Sequence, residues 1–313
     1  MEHVKSISYS EKFKGYFFFR QDLKYEIVKH KPDWILAYDT VALGILATFK
    51  LPHPTKIWYH NHDVVLNSEI ATFSLLRIFK FFETHMLRKK VDLFTLPTKS
   101  RLSYFPEKRG NVKTLIIPNY PSSKIYALNY QPQQYNALTD NLRLIHQGVF
   151  LPNNFEELVK EIQNSELKVE LVLAGPMKES VEKVTGFDQR RFLPMGRLAY
   201  KDLPKVTKTC HVGLALYGDH NVMVRTVSTA SNKIFEYIAL GLPVVFTDRE
   251  DFRALFGHYK WANYVCPDYS NLHHVLINIS DNYTEQTKSA RYTFEKERNF
   301  EMVFSHVYKY LNL

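Results

Sequence analysis

Ser231-Asn232-Lys233-Ile234-Phe235-Glu236-Tyr237-Ile238-Ala239-Leu240-Gly241-Leu242-Pro243-Val244-Val245 is the stretch that decides the fold class. Ser231 or Asn232 can cap a helix N-terminus. Ile234, Tyr237 and Ile238 recur on one helical face. Gly241 stops the helix and Pro243 opens a short apolar strand. A helix N-terminus presents free N–H groups and partial positive charge, which suits a diphosphate. Lys233 adds a full positive charge in the first turn, where the dipole favours an anion. A cation there makes sense if an anionic ligand occupies the site. Glu236 lies about one turn further on, where a carboxylate can accept hydrogen bonds from two ribose hydroxyls, as the acidic residue of Rossmann folds does. The plainer reading of the same residues is a capped surface helix, with Lys233 solvated and Glu236 serving the dipole. On the residues alone both readings stand.

Outward from this stretch, strands and helices alternate. Toward the N-terminus the strand candidates are Trp34–Tyr38, Lys56–His60, Val91–Leu96 and Thr114–Ile117, with a helical stretch over Thr40–Lys50. A polar, proline-interrupted segment, Tyr120–Asp140, reads as a linker. Beyond it come strands at Leu142–Gln147, Val169–Ala174, Arg191–Leu193, Val212–Leu216 and Pro243–Thr247. Helices fall at Asn154–Gln163, Lys201–Thr209 and Lys233–Leu240. Short apolar strands separated by helices imply parallel sheets covered on both faces. Two such blocks make an α/β chain of two Rossmann-like domains, expected over residues 1–130 and 131–296, with a C-terminal helix near 297–313 that can pack back on the first. Ligands in such sheets bind at the carboxyl ends of strands, so the cleft between the domains is the expected site. The length of 313 residues agrees with two domains, at about 100–200 residues each.

Composition narrows the function classes. At 45% hydrophobic and 23% charged this is an ordinary globular chain. Cys210 and Cys266 are its only cysteines, too few for a disulfide scaffold or a cysteine zinc cluster. No apolar run reaches the length of a membrane-spanning helix, and Met1–Ser10 has no signal-peptide core. A reduced, cytoplasmic setting is expected. The formal net charge of +9 falls in the N-terminal part: residues 1–136 hold 20 Lys+Arg against 11 Asp+Glu, and the remainder is balanced. An anionic partner for that part is implied, whether phosphorylated substrate, anionic lipid or nucleic acid; solubility alone is the bland alternative. The run Ile70–Lys90 places Phe73, Leu76, Phe79, Phe82, Met86 and Leu87 near helical spacing, with Arg77, Lys80, Arg88, Lys89 and Lys90 among or after them. It reads equally as a helix at an anionic membrane surface or a core helix with a basic last turn. Nucleic acid is disfavoured, since there is no zinc finger, aromatic RNP-like strand or Gly-rich basic tract.

The stretch 231–245 closely resembles the donor-binding segment of GT-B glycosyltransferases, in particular glycosyltransferase family 4. Weaker resemblances follow in order. Leu171–Gly175 is similar to the family's strand end before a glycine. Phe192 to Pro204, FLPMGRLAYKDLP, resembles FxGxLxxxDLP. His211–Tyr217 resembles DVGLxxY with His211 in place of Asp. Lys31–Ile35 resembles KPDVI, and Ile116–Asn119 resembles VIPN. Together they cover about residues 31–310. The resemblance implies a GT-B fold and transfer of a sugar from a nucleotide-sugar donor to a glycan or lipid-linked acceptor in surface polysaccharide assembly. Retention of configuration and independence of metal are expected, with no cofactor. Glu236 would hold the ribose. Lys233 and the backbone around Asn232 would face the diphosphate, with Ser231 and Gly148 also expected to bind the donor. Tyr217 and Asn221 would lie near the donor sugar. His60 or His62 follows the strand where the family places a histidine near the reacting carbon. Two alternatives accompany this reading: a non-catalytic GT-B partner subunit, and a nucleotide-sugar epimerase.

Three departures bear on it. The family's second glutamate, eight residues before the ribose glutamate, is Ser228 here. The loop Gln147–Pro152 lacks the Arg and Lys that grip the diphosphate, so Lys233, with Arg225 or Arg197, has to supply the charge. The family's first Gly-rich strand end is not found, and His3–Tyr9 is more similar to its third strand. The first domain is therefore expected to lack an opening βαβ stretch, being short, starting upstream, or completed by a partner chain. His60 and His62 alternate, and on a strand would share a face, yet two ligands are too few for a metal site. Asp248–Asp251 follows a strand end, where it lines the cleft or forms a solvated loop.

Overall fold

The computed structural model describes residues 9–52, 54–71, 74–107, 112–127, 130–131, 134–136, 141–148, 155–176, 190–218 and 221–311. The chain divides into two compact units, 1–117 and 118–313.

Among the described residues of the first unit, helix α1 (Tyr9–His30) precedes four strands: β1 (Trp34–Tyr38), β2 (Lys56–His60), β3 (Leu93–Leu96) and β4 (Lys113–Ile116). Helices α2 (Asp39–Leu46) and α3 (Leu75–Lys89) connect the first three. The strands pair in parallel in the order β1-β2-β3-β4. Alternation along each strand gives the sheet two faces. On one, Ile57, Tyr59 and Phe94 are fully buried, and the Tyr59 and Phe94 rings stack 5.4 Å apart. On the other, edge strand β1 leaves Leu36 52% and Tyr38 50% exposed. Residues 3–8 of the expected N-terminal strand lie outside the described residues, and Tyr9 begins α1.

The helix expected over 70–90 is α3, and the structure divides its roles between both readings. Phe79, Met86 and Leu87 are buried, whereas Ile78 and Phe81 are exposed beside Arg77, Arg88 and Lys89. Phe73 lies outside the described residues. Lys80 is not a surface cation: it is buried and pairs with Glu83, which also takes hydrogen bonds from Tyr59 Oη and from Thr40 Oγ1 (2.8 Å). Among the described residues no helix is long and apolar enough to cross a membrane.

Among its described residues the second unit has six parallel strands: β5 (Leu142–Gln147), β6 (Val169–Ala174), β7 (Phe192–Gly196), β8 (Val212–Ala215), β9 (Val244–Thr247) and β10 (Ala262–Val265). Their order is β10-β9-β8-β5-β6-β7. Its helices are α4 (Ser123–Ala127), α5 (Phe155–Asn164), α6 (Leu203–Thr207), α7 (Val222–Arg225), α8 (Asn232–Ala239), α9 (Glu250–Phe256), α10 (Leu272–Asp281), α11 (Tyr283–Lys296) and α12 (Phe300–Leu311). Strand residues alternate between two cores. Leu142, Leu144, Leu171 and Val212 meet α5 and α10 on one side. Ile145, Val172 and Ala215 meet Ile234, Tyr237 and Ile238 of α8 on the other. Burial on both faces is what an all-parallel sheet requires. Pro194 is tolerated because β7 is an edge strand.

The boundary between the units falls at Ile117/Pro118, ahead of the 130/131 expected from the polar segment. The physical reason is a pair of aromatic anchors. Tyr120 packs on Phe235 with ring centroids 4.3 Å apart, and Tyr126 on α4 is 1% exposed in the core around α8. Asn119 adds backbone and side-chain hydrogen bonds to the carbonyls of Thr229 (3.0 Å) and Ala230 (2.7 Å). Helix α12 is anchored to this same stretch, Glu301 accepting from the Ser123 N–H at 2.9 Å.

Candidate functional site

The strand order of the second unit reverses between β5 and β8, the switch point at which open α/β sheets bind ligands beyond their carboxyl ends. Helix α8 is set there by close packing. A Cβ on Gly213 of β8 would meet the Tyr237 ring at 2.2 Å, so glycine lets α8 lie directly on the strand. Tyr237 Oη then accepts from the Gln147 N–H at 3.0 Å, tying the helix to the end of β5. Gly148, the next residue, has φ 97°, a conformation open to glycine at little cost. A Cβ there would stand 3.9 Å from Lys233 Nζ.

Around this point the structure brings together Gly148, Tyr217, Ser231, Lys233 and Glu236. Lys233 Nζ lies 4.6 Å from the Tyr217 ring centroid, a cation–π contact. Tyr217 Oη and Ser231 Oγ share a hydrogen bond of 2.6 Å, and the Tyr217 N–H donates to Thr247 Oγ1 at 3.0 Å. Ser231 takes the N-cap position of α8, but its hydroxyl is turned to Tyr217 and makes no cap bond. The first-turn N–H groups are therefore left for another acceptor. Asn232 is exposed at the first helical position. Glu236 is 4% exposed, and the hydroxyls of Tyr200 and Tyr126 act on its carboxyl. Burial pushes its carboxyl up to about 7, against the pull of those phenols and of Lys233. Burial likewise pushes the Lys233 amine down to about 7, opposed by Glu236. Such opposed shifts in adjacent groups mark a site poised for a charged ligand.

Three further residues were expected at this site. Asn221 caps α7, its Oδ1 accepting from the Val224 N–H at 2.9 Å. Arg225 is exposed at the end of α7, and Arg197 is exposed just past β7. Arg249, read as part of a cleft-lining or solvated loop, is instead a staple: it donates to the carbonyls of Gly218 (3.0 Å), Val224 (2.9 Å) and Arg225 (2.8 Å). Tyr126 and Tyr200 were not singled out in the sequence. Tyr126 stands in a segment read as linker, and Tyr200 in the stretch resembling FxGxLxxxDLP. A surface hollow lined by Tyr130, Leu240, Gly241 and Lys288 lies at the other end of α8.

In the first unit the strand ends at His60, so His60 and His62 do not share a strand face as their spacing implied. His60 is 9% exposed, with Nδ1 2.8 Å from Thr95 Oγ1, which also accepts from Trp58 Nε1 at 2.7 Å. Burial, with the His62 charge second, pushes His60 down to about 4, so it is neutral near pH 7. The loop after it is held by Asp39, a non-glycine residue at φ 62°. Asp39 Oδ1 accepts from the N–H groups of His62 (2.7 Å) and Asp63 (3.1 Å). Buried Arg101 donates to the His62 carbonyl, and His62 Nδ1 lies 3.0 Å from Asp63 Oδ1. Among the described residues no group of three or more His, Cys, Asp or Glu side chains could hold a metal.

Solved structures share this fold. HepE of Anabaena in complex with UDP matches with a TM-score of 0.67 at 14% identity, over 94% of this chain and 81% of that one. Sucrose-phosphate synthase from Thermosynechococcus elongatus matches with a TM-score of 0.66 at 14% identity, over 99% and 81%. A UDP-N-acetylglucosamine 2-epimerase matches with a TM-score of 0.56 at 14% identity, over 100% and 80%. No protein-family model matches the sequence, and no curated protein matches it. At such identity the likeness concerns the fold, which is the two-sheet α/β architecture of GT-B proteins.

Proposed function

We propose that this chain is a glycosyltransferase of the family 4 type, moving a sugar from a nucleotide-sugar donor to a glycan or lipid-linked acceptor in surface polysaccharide assembly. The observation that carries the reading is the pairing of Lys233 and Glu236 on the first turns of an uncapped helix at the switch point of the second sheet. Glu236 is assigned the ribose, and Lys233 with the α8 N-terminus the diphosphate, whose leaving charge they would stabilise. His60, neutral and oriented by Thr95, is assigned to the acceptor side. Two solved structures of one neighbour, HepE, support the donor class, one in complex with UDP and one with UDP-glucose. Retention without a metal is proposed on the sequence resemblance. Peripheral contact with an anionic membrane is proposed on the basic first unit.

Calorimetry with UDP, GDP, CDP, ADP and dTDP, on the native chain and on Glu236→Ala, tests the donor site. One nucleotide is expected to bind, and the substitution to weaken it at least about tenfold. No binding by the folded native chain would replace this reading with a non-catalytic partner subunit. The epimerase neighbour gives a second reading its support: conversion of a nucleotide sugar with no acceptor present would favour it over transfer.

A further inference from the structure

The segment that opens the second unit runs against the start of α8. Asn119 reaches that start with both of its donors. Its backbone N–H donates to the Thr229 carbonyl at 3.0 Å, and its side-chain amide to the Ala230 carbonyl at 2.7 Å. Thr229 and Ala230 end the short 3-10 turn Ser228–Ala230, directly before the N-cap Ser231. A peptide unit is planar, so a held carbonyl fixes the whole plane, including the N–H of the next residue. Asn119 thus fixes the two consecutive planes through which the chain enters α8. A capping side chain ordinarily helps to set that entry. Here the Ser231 hydroxyl is bonded to Tyr217 Oη at 2.6 Å and makes no cap bond. The direction of the first-turn N–H groups is therefore set from outside the helix. Asn119 is itself held firmly. Tyr120 beside it packs on Phe235 of α8, and its hydroxyl accepts from Arg298 at 2.7 Å. The Pro121 carbonyl accepts from the Phe300 N–H at 3.1 Å. Pro118 and Pro121 each have a fixed φ, which stiffens the segment further.

We propose that Asn119 is a positioning residue of the donor site: it aims the N–H groups at the start of α8 toward the anionic end of the nucleotide, and through the same bonds a bound nucleotide tightens the segment that opens the second unit. This rests on the reading of the α8 N-terminus as the diphosphate ligand. Coupling of this kind is reciprocal. If the Asn119 bonds favour the bound nucleotide, the nucleotide favours those bonds. A residue that only helps the unit to fold would lower the unfolding midpoint when replaced. It would change neither the affinity of the folded protein nor the response of its own amide to nucleotide.

The test offers UDP, GDP, CDP, ADP and dTDP to the full native chain, to Asn119→Ala and to Glu236→Ala. Calorimetry gives Kd at a temperature where all three are folded. NMR follows hydrogen exchange at the native Asn119 N–H, with and without saturating nucleotide. The nucleotide that the native chain binds is expected to bind Asn119→Ala about three- to tenfold more weakly, the worth of one hydrogen bond. Exchange at the native Asn119 N–H is expected to slow at least about fivefold, because opening of that bond then also disturbs the occupied site. If Glu236→Ala weakens binding yet Asn119→Ala stays within about twofold of native, the proposal is overturned and the donor reading survives. An Asn119 exchange rate that saturating nucleotide leaves unchanged overturns the proposal in the same way. If the native chain binds none of the five, the donor reading fails and takes the proposal with it. Should Asn119→Ala not fold, the exchange measurement on the native chain decides alone.

Discussion

Lys233 and Glu236 are each pushed to about 7 from opposite sides, chiefly by burial. Their effects on stability have opposite signs. A depressed amine contributes stability above its unfolded value, and this is lost as pH falls through about 7. A raised carboxyl contributes below its unfolded value, and this is lost as pH rises through about 7. Near neutrality the empty site therefore carries a cost from both groups. A nucleoside diphosphate supplies what each lacks, an anion for Lys233 and hydroxyl donors for Glu236. Affinity is thus expected to peak near pH 7, falling on the alkaline side as Lys233 loses its proton and on the acid side as Glu236 gains one. Calorimetric Kd values from about pH 5.5 to 8.5 check this, each limb approaching about tenfold per pH unit at most. Lys233→Met flattens the alkaline limb and Glu236→Gln the acid limb; the diphosphate's own titration is common to all three proteins. A native profile flat within about twofold would refute the assignment. This pair, with Ser231, was legible because the sequence writes a helix start on consecutive residues. Tyr126 and Tyr200 were not, because only the packing of α4 and the β7–α6 turn brings them to the same carboxyl.

Elements were most legible where one face is apolar at a fixed period. The strands of both sheets other than β10, which was not expected, and helices α5 and α8 fall close to their expected bounds. Helix α1 escaped notice because its aromatics surround it: Phe17, Phe18 and Phe19 are consecutive, and all three are exposed. The periodic residues of α3 located it, but not the partner of its central cation. Lys80 is buried against Glu83, itself 1% exposed and shared with Tyr59 and Thr40. Removing one member of a buried pair leaves the other uncompensated, at about 3–5 kcal/mol. Glu83→Ala is expected to lose about that much stability in the first unit. Urea unfolding followed through Trp34 and Trp58 fluorescence reads it, while nucleotide affinity in the second unit stays native. A loss under about 1 kcal/mol would mean that the network is not holding α2, α3 and β2 together.

Across the whole molecule, the basic excess falls on the first unit, which also carries exposed apolar side chains on two helices. Residues 1–117 hold 19 Lys+Arg and 11 Asp+Glu, whereas 118–313 are nearly balanced. On α3 the exposed Ile78 and Phe81 stand among Arg77, Arg88 and Lys89; on α1 Phe13, Phe17, Phe18 and Tyr25 stand with Lys14 and Lys24. Exposed apolar side chains with cations among them fit the interface of an anionic bilayer, where each basic residue adds about 1 kcal/mol near the surface. A catalyst acting on a lipid-linked acceptor gains by being held there. The full chain is therefore expected to sediment with phosphatidylglycerol vesicles at low salt and not with phosphatidylcholine vesicles, and to be released at about 0.5 M salt, where screening shortens the reach of surface charge to a few ångströms. Ile78→Ser with Phe81→Ser should weaken the binding several-fold without changing nucleotide affinity, because these side chains already face solvent. If the native chain ignores the anionic vesicles at low salt, the basic surface belongs to a soluble anionic acceptor, and the membrane contact is withdrawn.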